Sequence, residues 1–239
     1  MQQNQKEYEK AIGFIRQLIV EGTLQIGSRL PTERTIAQSL SIGRNSTREA
    51  LRTMENMGII ESRHGSGNYL VGKISKKMAD MIDMMLLLQQ ITPNEICEFR
   101  RSIEKNICDM VIKNLEADLS KIPQVLDAFL TASPAKQTEL DKQFHYLLIY
   151  ATKNQFLILL MEAITDMYGR WIDMVLRDAE IEIKKKIHET HTAIYGSLLR
   201  KDLIACMQAI DEHYDLIDSI LAEKKNIFFE QRTNDGIYL

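Results

Sequence analysis

Five histidines occur in this chain of 239 residues, and three of them are spaced so that they could act together. Asp141 and His145 lie four positions apart, which on a helix puts both side chains on one face. His191 lies in a second helical pattern and His213 in a third, with His188 and Asp211 close by. One oxygen and three nitrogens from three helices around a common core could hold Zn²⁺, Ni²⁺ or Mn²⁺, with one or two coordination positions left open. Isolated helical histidines are also ordinary core or surface residues, so spacing alone leaves both readings standing.

A second group of residues suits different chemistry. From Arg44 onward, Thr47, Leu51 and Met54 recur at the spacing of one helical face, while Arg44, Arg48 and Arg52 form a stripe on another. The planar fork of arginine can grip two acceptors at once on a guanine edge or a phosphate. The residues before this stripe predict a shorter helix that is capped by Thr32 and ends near Leu40. A turn at Ser41 to Gly43 then lets the next helix present its N-terminal end to a major groove. Strands predicted at Ile59 to Arg63 and Asn68 to Val71 are joined by His64-Gly65-Ser66-Gly67, whose glycines allow positive φ and a close approach of backbone amides to phosphate. Together these make a helix-turn-helix with a wing.

The segments Leu30-Pro31-Thr32-Glu33-Arg34, Arg44-Asn45-Ser46-Thr47-Arg48-Glu49-Ala50-Leu51, Gly58-Ile59-Ile60 and Gly65-Ser66-Gly67 resemble the winged helix-turn-helix of the GntR family of bacterial transcription regulators. The resemblance implies that Arg34, Arg44, Asn45, Arg48, His64 and Gly65 meet double-stranded operator DNA. It departs at Gly43, where the family usually has a capping Ser, and at Thr47 in place of Val, so a slightly different helix start with the same docking is expected. The remaining chain, to about Leu221, resembles the FCD effector-binding domain of the FadR subgroup. The segments that carry this are Asp141-Lys-Gln-Phe-His145 with Asn154, Thr190-His191-Thr192-Ala193-Ile194, and His213. In the metal-containing branch those positions imply Asp141, His145, His191 and His213 as ligands of a divalent metal ion, Zn or else Ni or Mn; His188 falls outside the pattern. The resemblance also implies that Arg100 faces the metal cavity and grips a carboxylate of a small organic acid effector. Arg101, about 100° round the helix, is the less favoured choice. Tyr146, Tyr168, Trp171 and Tyr195 are candidates for the cavity wall that the sequence does not separate from core.

These groups need elements to hold them. Apolar residues at helical spacing predict a helix over Tyr8 to Val20 and, in the second half, helices over 76–90, 93–114, 120–131, 135–152, 155–178, 181–200 and 202–223. The expected fold is therefore mainly α: a winged helix-turn-helix over 1–72, a linker over 73–77, an all-α FCD bundle over 78–225 and a tail over 226–239. Met78, Met81, Met84 and Met85 make an apolar stripe that is expected to pack into the core rather than to form a dimer contact or a ligand wall.

A hydrophobic content of 45% with 26% charged residues is that of a globular protein, and the net charge is −3. Residues 1–71 hold nine Lys and Arg against seven Asp and Glu, a balance of +2, leaving 21 against 26, or −5, for the remainder. A small basic site on an acidic body suits sequence-specific reading better than indiscriminate coating of DNA. Cys97, Cys108 and Cys206 read as reduced core residues. The N-terminus is polar, unlike a signal peptide, and no apolar run is long enough to span a bilayer, so a cytoplasmic protein is expected. The resulting expectation is a homodimeric transcription regulator, a repressor whose operator binding responds to the acid. The competing reading is a metal-dependent enzyme of small organic acids. No HExxH pairing sets a general base beside the ligands, and an enzyme would leave the DNA reader unexplained.

Overall fold

Residues 2–177 and 179–223 are described by the computed structural model, which divides into two compact units between Asp80 and Met81. In the first, α1 (Gln2–Val20) packs against α2 (Glu33–Leu40) and α3 (Arg44–Asn56), followed by the antiparallel pair β1 (Ile60–Arg63) and β2 (Gly67–Leu70). The predicted first helix begins six residues late, because residues 2–7 are polar and carry no apolar period. Ala11, Ile15, Leu30, Ile36, Leu51, Met54, Ile60 and Leu70 form the core. Thr32 caps α2 by accepting from the Thr35 amide at 3.2 Å, and Ser41 ends it in the left-handed region at φ 53°. Gly58 turns the chain from α3 into β1 at φ 73°, where a Cβ would meet the Lys73 carbonyl oxygen at 2.5 Å, so only glycine fits.

The second unit is a helical bundle. α4 (Ile74–Leu87) leads into it, followed by α5 (Pro93–Lys113), α6 (Ile122–Phe129), α7 (Pro134–Ala151), α8 (Gln155–Arg177), α9 (Ile181–Arg200) and α10 (Leu203–Glu223). Pro93, Pro123 and Pro134 each sit in the first turn of a helix, where a missing amide costs nothing. Thr92 and Glu95 close a capping box ahead of α5, with amide bonds of 3.2 and 2.7 Å. α7 lies beside α8, α9 beside α10 and α10 beside α5, while α6 bridges α7 and α9. The three cysteines are buried and free, as expected.

Two expectations change. Residues 74–77, assigned to the linker although the predicted helix starts at 76, are the first turn of α4, since Ile74 and Ser75 also tolerate helix. The methionine stripe is only partly covered among the described residues: Met81 is 65% and Met84 51% exposed, Met78 and Met85 are half-buried, and Leu86 is the only buried residue of α4. Periodicity reported an apolar face but not what covers it. The Trp171 side chain and the tail 226–239 lie outside the described residues.

Candidate metal centre and nucleic-acid interface

α7 carries Asp141 and His145 one turn apart, α9 carries His191 and α10 carries His213, and the bundle turns all four side chains inward. One ligand atom from each lies within 4.8 Å of the other three, and every one of the four residues is buried. Asp141 Oδ1 and the Nε2 atoms of His145, His191 and His213 have no hydrogen-bond partner, although His191 Nε2 comes to 3.5 Å from Asp141 Oδ1. A buried polar atom left unpaired costs about 1–3 kcal/mol. Four such atoms converging on one point are accounted for if they share a cation.

Contacts behind the rings favour that role. Thr190 Oγ1 donates its single hydrogen to the Ile187 carbonyl at 2.8 Å and lies 3.1 Å from His213 Nδ1, so it can only accept there. His213 therefore carries its proton on Nδ1 and presents a bare Nε2 lone pair to the cluster. His145 Nδ1 meets the Glu104 carboxylate at 2.9 Å, and Glu104 also accepts from Arg100 Nε at 3.1 Å. Burial opposes the charge of Glu104, but the neighbouring His145 and Arg100 hold its carboxyl down to about 2. Burial, with His145 next to it, lowers His213 to about 3, and burial together with His213 and His145 lowers His191 well below its ordinary value. Burial outweighs His145 and Arg100 at Asp141 and raises its carboxyl. The donor set, one carboxylate oxygen and three imidazole nitrogens, with burial keeping the rings of His191 and His213 neutral, fits a borderline divalent ion such as Zn²⁺.

Arg100 lies beside this cluster, 1% exposed, with its guanidinium 4.1 Å over the Tyr168 ring and its Nη2 without a partner. Tyr214 Oη and Thr165 Oγ1 are likewise buried and unpartnered. Arg101 points elsewhere, to Asp215 at 2.7 Å and Asp218 at 2.9 Å on α10. Asp211 is paired with Lys105 at 2.6 Å, and His188, half-buried against the Phe129 ring, is outside the cluster. Asn154 accepts from the Leu157 amide at 3.1 Å, in the manner of a helix cap for α8. Tyr146 stacks on Tyr150, and Tyr195 packs against the core from its edge. A groove of about 360 Å³ between α9 and α10 includes Thr190 and Glu212 in its lining. Thr190 meets the Nδ1 edge of His213, so the groove lies on the side of the ring away from the ligand atoms.

In the first unit Arg34, Arg44, Asn45, Arg48, His64 and Gly65 are all exposed, while Thr47, Leu51 and Met54 on the opposite face of α3 are buried. Arg48 is held by Glu33, through Nε to Oε2 at 3.2 Å and Nη2 to Oε2 at 3.1 Å. The missing serine cap at Gly43 is replaced from another helix. Glu7 of α1 accepts from the Gly43 amide at 3.0 Å and from the Ser46 hydroxyl at 2.9 Å. A Cβ at position 43 would come within 3.2 Å of that carboxylate, so the glycine makes room for it. Thr47 turns its hydroxyl back to the Gly43 carbonyl at 3.2 Å, which is how a polar residue is accommodated in the place of Val. Neither Glu7 nor Glu104 is singled out by sequence reasoning, because each acts on a group 36 or more positions away. Replacing Glu7 by Ala is expected to fray the start of α3 and weaken binding to DNA several-fold, with the second unit's melting unchanged; equal binding by fluorescence anisotropy would refute the cap's role.

Comparison with known proteins agrees with both halves. The family described as "Bacterial regulatory proteins, gntR family" matches residues 7–70, and the FCD domain matches residues 95–216. The Uxu operon transcriptional regulator of Escherichia coli (strain K12) is 27% identical over 231 residues, which is 93% of this chain and 90% of the relative. The HTH-type transcriptional regulator LutR of Bacillus subtilis (strain 168) is 23% identical over 214 residues, covering 86% of this chain and 96% of its own. A solved structure, Streptococcus agalactiae GntR, has the same fold, with a TM-score of 0.67 at 24% identity, covering 88% of this chain and 98% of that one. These relatives are regulators, which sets aside the enzyme reading. With a winged helix-turn-helix at its N-terminus and an FCD domain behind it, the chain belongs to the GntR family of bacterial transcription regulators.

Proposed function

We propose that this regulator is a repressor whose operator binding is relieved by a small carboxylate metabolite held at a metal ion in the second unit. Asp141, His145, His191 and His213 would hold the divalent ion, which when bound supplies a Lewis-acidic position for an oxygen of the acid. Arg100 grips the carboxylate from the other side. The observation that carries the reading is the convergence of four buried, unpartnered ligand atoms beside an arginine whose Nη2 is also unpartnered. Charge supports a monocarboxylate. Arg100 and Glu104 cancel, Asp141 offsets half the charge of a divalent ion, and the single positive charge left over is neutralised by one carboxylate.

Arg34, Arg44, Asn45, Arg48, His64 and Gly65 are the residues proposed to meet the operator, from a homodimer with two such faces in a cytoplasmic setting. The exposed Met81, Met84 and Leu87 of α4 are an apolar stripe of the kind a second copy would cover. For the acid to act as a switch it must favour one dimer arrangement over the other, since equal affinity shifts nothing.

Metal and protons compete for the same ligands, which provides the test. In the metal-free fold His213 titrates at about 3 rather than 6.5. The unfolded chain therefore holds more protons than the fold between those values, and stability falls as the pH drops through that window. Glu104, shifted from 4.5 to about 2, adds a loss in the same direction at lower pH, while the raised Asp141 opposes it. Zn²⁺ at about 100 times its Kd should stabilise the protein by about 2.7 kcal/mol at pH 7. That gain should persist at pH 5, where burial keeps His191 and His213 unprotonated, and shrink as the pH falls toward about 3, where His213 takes up a proton in competition with the ion. Melting curves with Zn²⁺ and with chelator that coincide at pH 7 would defeat the metal reading.

A further inference from the structure

Glu104 divides its carboxylate between two groups with different jobs. Its Oε1 accepts from Arg100 Nε at 3.1 Å, and its Oε2 meets His145 Nδ1 at 2.9 Å, with all three side chains 1–2% exposed. We propose that Glu104 is a positioning residue that sets both ends of the chamber at once, aiming the guanidinium of Arg100 at the acid and fixing His145 as a metal ligand. The proposal rests on the reading that the cluster holds a metal ion and Arg100 a carboxylate.

Hydrogen-bond roles give the argument its direction. An ionised carboxylate can only accept, so His145 must carry a proton on Nδ1. Its Nε2 is buried and without a partner, and the ring centroid lies 5.3 Å from those of both His191 and His213. The bond to Glu104 therefore selects the tautomer whose free lone pair points into the cluster and makes that nitrogen a stronger donor. On the other side, Glu104 engages the Nε of Arg100 and Tyr168 covers the guanidinium face, which leaves Nη2 for a further acceptor. Arg100 and Glu104 stand one turn apart on α5, whereas His145 stands on α7, so a single side chain ties the acid-gripping helix to the metal-holding one. Without that carboxylate Arg100 would be a buried charge stripped of its ion-pair partner among the described residues, and the His145 ring would be free to turn or to change tautomer.

The test uses full-length protein stripped of metal and titrated with Co²⁺, whose absorption bands report ligand field as well as occupancy. Glu104→Gln keeps the size of the side chain but loses the charge, and is expected to bind Co²⁺ about ten- to hundredfold more weakly than wild type, with shifted bands. Glu104→Asp keeps the charge but shortens the reach, so that one side chain can no longer serve both partners; it should also weaken binding. Nitrogen NMR of the metal-free wild type should show His145 as the Nδ1-protonated tautomer, a readout that a role in packing alone would not fix. An Nε2-protonated ring in wild type would overturn the proposal even if neither variant folds. Wild-type affinity and bands in Glu104→Gln would also overturn it, with the metal reading intact. Equal Co²⁺ binding by wild type and His191→Ala, or none by either, would instead remove the metal reading beneath it.

Discussion

His191→Ala is expected to strip the protein of metal and of its response to acid while leaving operator binding in place. Loss of a group that hydrogen-bonds to a ligand from behind costs about ten- to hundredfold in metal affinity, and loss of a ligand costs more, so bound metal after dialysis should fall below about a tenth of the wild-type content. His191 is a sharp choice because its contacts separate the possible causes. Its Nε2 lies 3.5 Å from Asp141 Oδ1, and its ring stacks on Phe144 at 4.1 Å, so alanine removes a ligand and exposes one aromatic face. The aromatic contact is worth about 0.5–1.5 kcal/mol beyond the buried area, which lowers the melting point of the metal-free form but does not unfold a bundle with so extensive a core. A variant that is folded by far-UV circular dichroism, poor in metal by elemental analysis and insensitive to added acid on a DNA fragment selected by the wild type is the expected outcome. Undiminished metal content would show that these four side chains are not the ligands.

The two halves of the chain were readable to different depths, for physical reasons. The exposed arginine face of α3 follows from residues close in sequence, since a helix of known period displays Arg44, Arg48 and Arg52 on one side and hides Thr47, Leu51 and Met54 on the other. What holds Arg48 and the start of α3 was not readable. Glu33 and Glu7 reach α3 from other helices, and no period reports a contact across 15 or 39 residues. In the second half, the histidine spacing described each helix separately and left the metal cluster as one of two readings. The family resemblance was needed to choose among His188, His191 and Asp211. In the structure His188 points toward Phe129 and Asp211 is taken by Lys105, whereas His191 enters the core. Glu104 stood in the same run as Arg100 and passed unnoticed, because its value lies in a histidine on another helix. The α4 stripe failed for the complementary reason: an apolar face implies a cover, and Met81 and Met84 stay exposed among the described residues.

Arg48→Ala is expected to weaken operator binding about ten- to hundredfold at fixed salt, the range for losing one bidentate arginine from a base edge, with metal content and far-UV spectrum unchanged. The grip of Glu33 makes the case sharper than for the neighbouring arginines. Before DNA is present, Nε and Nη2 of Arg48 are taken by the carboxylate, so the guanidinium arrives with a set orientation and reduced freedom. Phosphate then has to compete with a negative charge already in place, which penalises indiscriminate contact and spares a site that offers a well-aimed acceptor pair. Replacing Glu33 by Gln should accordingly raise affinity for unrelated DNA and narrow the ratio between operator and non-operator binding, whereas Arg48→Ala lowers the operator term alone. The salt dependence separates the two modes of contact. If Arg48 reads a base, its loss leaves the slope of log K against log salt unchanged. If it neutralises a phosphate, the slope falls by about one and all sequences weaken together. Operator affinity of Arg48→Ala within twofold of wild type would take the exposed face of α3 out of the reading role.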